Sequence, residues 1–145
     1  MTPRNKIRRA ILRRAIANND YEWDGPLDTD GDVADAYDHF TGLDAHWDYE
    51  SGFREGEVET KLPSLHFSRH YEAKEVAAKM ADGSWVGWTY WHGGGKHGEP
   101  GAIDWMKDAY DLTCVETQEL VTVRKFEKVE GVVGNGIEST ATTTE

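Results

Sequence analysis

A single cysteine, Cys114, leaves this chain no internal disulfide framework. That usage suits a reducing compartment, and a cytoplasmic location is expected. No apolar run approaches the roughly 20 residues of a membrane span, so no membrane partner is expected. The basic N-terminus is not followed by the apolar stretch of about 7–15 residues that marks a secretory signal. Only four prolines interrupt 145 residues. A chain of this length has room for one hydrophobic core. Residues 1–19 contain no acid, and residues 20–60 contain a single base, Arg54.

Those last two absences segregate the charge. The net charge is −11, but residues 1–19 carry +6, residues 20–60 carry −13 and the remainder carries −4. Such segregation bears on partners and association rate rather than on fold. The two blocks can neutralise each other within the chain or face outward.

The pattern divides the chain into four parts. Residues 1–19 read as a basic amphipathic helix, with Ile7, Ile11, Leu12, Ala15 and Ile16 on one face and arginines on the other. Thr2-Pro3 makes an N-cap followed by proline at the first helical position. Residues 20–60 are acidic but hold Tyr21, Trp23, Tyr37, Phe40, Trp47, Tyr49 and Phe53. Disordered segments usually lack aromatics, so parts of this one are expected to dock. A short helix is expected over 32–40.

Residues 61–130 read as an α+β core domain. A strand over 70–80 and a return strand over 84–92 flank Asp82-Gly83, a tight-turn pair. Pro100 is expected to open a short helix through Ile103, Trp105, Met106 and Ala109. Residues 110–116 and 119–129 are rich in β-branched side chains and predict a second hairpin across Thr117-Gln118. The expected fold is therefore α+β: an N-terminal helix, then an antiparallel sheet of about four strands in two hairpins with an intervening helix. Residues 131–145 read as a disordered Gly/Thr-rich tail.

Residues 84–101, SWVGWTYWHGGGKHGEPG, carry the densest chemistry, with three of the six tryptophans. In the 84–92 strand Val86, Trp88 and Tyr90 point one way, and Trp85 and Trp91 the other. A half-solvated strand should alternate apolar with polar. The Trp85/Trp91 face must therefore meet a helix, the acidic segment or a partner. Trp85, Trp91, His92, Lys96, His97 and Glu99 are candidate binding residues, with Asp28, Asp30 and Asp32 from the acidic segment.

The catalytic templates each lack a companion. His92 and its three glycines look like an esterase oxyanion motif, but no G-x-S-x-G elbow follows. The 93–98 loop could form an anion nest, yet Lys96 is its only cation and no P-loop pattern is present. His92, His97, Glu99 and Cys114 match no strong zinc spacing. The acidic run from Asp28 places Val33 where an EF-hand needs glycine. Cys114, inside a predicted strand, reads as a buried inert thiol. No metal, cofactor or catalytic residue is assigned.

The string SRHYEAKEVAAKMADGSWVGWTYWHGGGKHGEPGAIDWMKDAYDLTCVETQELVTVRKFEKV, residues 68–129, resembles a small protein type encoded in bacteriophages and prophages. Its G-W-T-Y-W, G-G-G-K-H and I-D-W-M elements carry the resemblance. It implies a phage accessory protein acting in the host cytoplasm, and it supplies no catalytic residues. The expected function is a non-enzymatic inhibitor or modulator of a host protein or antiviral defence system, acting through an acidic and aromatic surface. The alternative is a small-ligand or nucleotide-binding domain using the Trp-rich strand and Gly-rich loop. Nucleic-acid contact through Arg8, Arg9, Arg13 and Arg14 is a third reading, which the overall acidity disfavours. A small metal-dependent enzyme is the fourth.

Overall fold

A computed structural model describes residues 1–94, 100 and 103–129. The chain divides into two units, Met1–Cys114 and Val115–Glu145. The first unit carries helices α1 (Pro3–Ala17), α2 (Asp30–Phe40) and α3 (Ala45–Arg54), then strands β1 (Val58–Glu59), β2 (Glu72–Lys79), β3 (Trp85–His92) and β4 (Tyr110–Leu112). The strands form one antiparallel sheet in the order β1-β2-β3-β4. The fold is α+β with the N-terminal helix first, as the pattern predicts.

Local chemistry explains the first two helices. The Thr2 hydroxyl accepts from the Asn5 N–H at 3.2 Å, and Pro3 follows it. Ile7, Ile11, Leu12 and Ala15 are fully buried, so the apolar stripe is the packed face. Thr29 and Asp32 form a reciprocal capping box at α2, each side chain bonding the other's backbone N–H at 3.1 Å. Val33, Ala36, Tyr37 and Phe40 then bury one face of α2. Helix α3 was not anticipated. It has no side-chain cap at its N-terminus, and its buried residues are only His46 and Phe53.

The β2–β3 hairpin runs in register from Glu72↔His92 to Lys79↔Trp85. Its loop is closed by the Met80 N–H on the Ser84 carbonyl at 2.7 Å. Gly83 has φ +90°, a left-handed turn conformation that glycine adopts without steric cost. Asp82 accepts from the Ser84 N–H and hydroxyl at 2.9 and 2.6 Å. Gly87 answers a different need: a Cβ there would lie 2.7 Å from the Tyr110 ring.

The helices cover one face of the sheet. Val76, Ala78, Met80, Val86 and Trp88 join Ile7, Ile11, Leu12, Phe40 and Phe53 in a single core. Burying each large aliphatic side chain contributes about 1.5–3 kcal/mol. Trp88 is at its centre, fully buried, 5.7 Å from the Phe53 ring and 5.4 Å from the Trp105 ring. Its indole N–H donates to the Arg54 carbonyl at 2.7 Å.

Three expectations over 100–129 are corrected. Pro100 does lie in a 3₁₀ helical turn, its carbonyl accepting from the Ile103 N–H at 3.1 Å, but residues 105–108 form turns rather than helix, closed by the Ala109 N–H on the Met106 carbonyl at 3.2 Å. Only Tyr110–Leu112 is strand, and residues 113–129 form no hairpin. The physical reason is in the turn. Thr117-Gln118 lacks the glycine or asparagine that a two-residue hairpin loop favours. That hairpin would also place Glu116 directly opposite Glu119, a destabilising like-charge pair. The fourth strand comes instead from β1, whose Val58 and Glu59 pair with Ala77 and Val76. Cys114, expected buried in that hairpin, is exposed just beyond β4. In the second unit, residues 115–129 contain no helix or strand and are exposed. The expected tail over 131–145 lies outside the described residues.

Candidate functional site

The Trp85/Trp91 face is covered by the chain itself. Trp91 is 9 % exposed and Trp85 half-buried. Tyr110 and Leu112 of β4 lie over Gly87. The His66 ring sits 6.2 Å from the Trp91 ring, bringing the extended segment after β1 onto this face. Between them Glu75, 4 % exposed, accepts from the Thr89 hydroxyl at 2.7 Å and the Tyr110 hydroxyl at 2.5 Å. Burial and then this carboxylate push the Tyr110 hydroxyl well above its usual range. A buried carboxylate with two donors is a satisfied structural group. Among the described residues, the cover recorded on this face comes from β4 and the segment after β1 rather than from a helix.

The other sequence candidates are dispersed. His92 stacks on Tyr90 at 5.4 Å and lies 3.7 Å from Glu72. Lys96, His97 and Glu99 fall outside the described residues. Asp32 is occupied in the α2 capping box, where it also accepts from the Asp28 N–H at 3.1 Å. Asp30 ties the chain start to α2. It accepts from the Asn5 side chain at 2.8 Å and the Thr2 N–H at 3.0 Å, contacts that hold its carboxyl below the usual range. Asp28 itself is exposed. Among the described residues, no group of three or more His, Cys, Asp or Glu could hold a metal ion.

The basic helix is largely spent on its own fold. Arg8 lies 5.3 Å over the Tyr37 ring and Arg14 5.0 Å over the Phe53 ring. Burial, then the neighbouring Arg4, lower the Arg8 pKa. The recorded ion pairs of α1 reach past the acidic segment: Arg4 meets Asp104 at 3.0 Å and Lys6 meets Asp111 at 2.9 Å. Arg9 is half-buried and Arg13 exposed.

A concave feature among the described residues lies elsewhere. A cleft of about 700 Å³ opens between α1, α2, α3 and the turn at 103–106. Its lining includes Arg4 and Arg8 of α1, Asp35 and Asp38 of α2, and His46, Trp47 and Glu50 of α3. Several of these groups already have partners. Tyr37 donates a short hydrogen bond to Glu50 and, being buried beside that carboxylate, has its pKa driven far upward. The buried His46 holds the Leu43 carbonyl through Nδ1 at 2.7 Å. Trp47 differs: it is 65 % exposed, with its ring 4.2 Å from the His46 ring. Asp35 and Asp38 are also exposed at the same cleft.

An exposed indole in a cleft that also presents exposed carboxylates suits a cation. The ring face attracts ammonium or guanidinium groups, and the carboxylates add charge-assisted hydrogen bonds. Sequence reading missed this site because it missed α3. The available signal was phase: with His46, Tyr49 and Phe53 turned inward at helical spacing, Trp47 falls off the stripe. Compared with protein families, curated proteins and solved structures, the chain finds no match in any of the three. No helix among the described residues is long and apolar enough to cross a membrane.

Proposed function

We propose that this chain is a binding protein rather than an enzyme, and that the Trp47 cleft takes a basic side chain from a protein partner. One observation carries the reading: Trp47, 65 % exposed, lines the same cleft as the exposed carboxylates of Asp35 and Asp38. The net charge of −11 supports it, since opposite charge on a partner would speed the encounter. Within the cleft, Tyr37 is already paired with Glu50 and His46 with the Leu43 carbonyl, which favours a binding role over an acid–base one. The phage-like string over 68–129 directs the search for that partner to host proteins and antiviral defence components.

The test is a titration with an arginine-rich peptide, followed by calorimetry. Binding is expected to weaken with salt as surface electrostatics are screened. Trp47→Ala should weaken it roughly fivefold, the scale of an exposed cation–π contact. Asp35→Asn/Asp38→Asn should reduce the salt dependence. Binding that ignores both variants would defeat the proposal.

A further inference from the structure

Residues 115–129, in the second unit, are rich in exposed apolar side chains. Val115, Leu120, Val121, Val123, Phe126 and Val129 are between 62 and 105 % exposed. The stretch has neither proline nor glycine and is rich in β-branched residues, a strand-forming composition without a strand. Exposed segments of this kind are templates for pairing with another chain. Within one chain the obvious hairpin fails, because Glu116 meets Glu119.

We infer that residues 115–129 pair antiparallel with the same residues of a second copy, with Thr122 on the twofold axis. The register follows from charge. Centred on Thr122, Glu119 lies opposite Lys125 and Glu116 opposite Lys128. Val121 then faces Val123, and Val115 faces Val129. Twofold symmetry makes each of these pairs occur twice, as an isologous interface requires. The two glutamates that repel in the hairpin are both neutralised in the dimer. Neighbouring registers lose this. A slip of one residue in one direction sets Glu116 against Glu127, and in the other sets Glu119 against Phe126. A slip also exchanges the faces of the strand. In the Thr122 register Val115, Val121, Val123 and Val129 from both copies share one face.

A two-stranded ribbon is marginal by itself. The dimer is therefore weak, with a Kd on the order of 0.1–1 mM. Sedimentation of the full chain up to about 1 mM should show concentration-dependent dimers. Glu119→Lys and Lys125→Glu should each weaken the dimer roughly tenfold, since each converts two attractive pairs into two repulsive ones. The double variant restores both pairs and should restore the dimer. All three replace exposed residues, so their melting curves should match the parent's.

A cross-linking experiment reads the register directly. On a Cys114→Ser background, Thr122→Cys brings two thiols together at the axis and should form a disulfide dimer on mild oxidation. Glu119→Cys leaves its thiols about 20 Å apart, six strand positions, and should cross-link far more slowly. A chain that stays monomeric at 1 mM, a dimer indifferent to the charge exchange, or equal cross-linking at both positions would each overturn the inference. The Trp47 titration reads none of these outcomes, so the two proposals stand or fall separately.

Discussion

Two stretches of this chain have the composition of a β-hairpin, and one of them forms it. The stretch over 72–92 pairs in register along its length. The stretch over 110–129 contributes three residues to the sheet and then stops. Both are rich in strand formers. They differ in the turn and in what lies beneath. Asp82-Gly83 supplies a left-handed glycine and a carboxylate that holds the Ser84 N–H. Thr117-Gln118 supplies neither. Val76, Ala78, Val86 and Trp88 have a helical layer to bury against, whereas Leu120 and Val121 are exposed. Strand propensity here is a fit to a half-buried surface, and it does nothing without one.

The largest expected effect breaks the first hairpin from below. Trp88→Ala removes the fully buried ring between Phe53 and Trp105 and orphans the Arg54 carbonyl. It should cost about 3–5 kcal/mol in chemical denaturation. Leu120→Ala, at an exposed site in the other stretch, should stay within about 0.5 kcal/mol. Equal losses would erase the contrast between the two stretches.

A gain of structure sharpens the comparison next. Thr117→Asn/Gln118→Gly installs a turn suited to a two-residue loop, and Glu116→Lys converts the repulsive pair into an attractive one. The triple variant should slow amide exchange over residues 112–123 and add no more than roughly 1 kcal/mol of stability. Unchanged exchange would place the whole difference on the missing surface rather than on the turn.

The smallest effect is electrostatic. The Ser84 hydroxyl and then its N–H hold the Asp82 carboxyl below its ordinary value of 3.8. Its ionised form is therefore favoured by folding. The contribution is present above the ordinary value and is lost as pH falls through the lower folded value. The stability difference between the parent and Asp82→Asn should be constant above about pH 5 and shrink in acid below it. A difference that grows in acid would reverse the sign of this linkage.

Much of the fold was legible in short-range patterns. Thr2-Pro3, the stripe from Ile7 to Ala15 and the aromatic face of α2 each specify their helix within a few residues. Asp82-Gly83 locates the β2–β3 hairpin by the same local chemistry. Helix α3 was hidden because its start lacks a side-chain cap and its inward face is formed by the buried His46 and Phe53 with a partly buried Tyr49. β1 was hidden because two paired residues leave no periodicity to detect. The candidate site was less legible still. Trp85 and Trp91, in the densest aromatic run, share a face that Tyr110 and His66 partly cover. Trp47, which no motif marks, is 65 % exposed at the cleft.

By itself the sequence determined the caps, the hairpin turn, the α+β class and the segregation of charge. These depend on neighbours three or four residues apart, or on composition alone. Only the tertiary structure decided which aromatic faces are covered. It also decided that Arg4 and Lys6 of α1 pair with Asp104 and Asp111 rather than with the acidic segment. The ion pairs join groups about a hundred residues apart along the chain, and the covered faces depend on groups more than twenty residues away. The packing of the core sets their distance, and no local pattern encodes it.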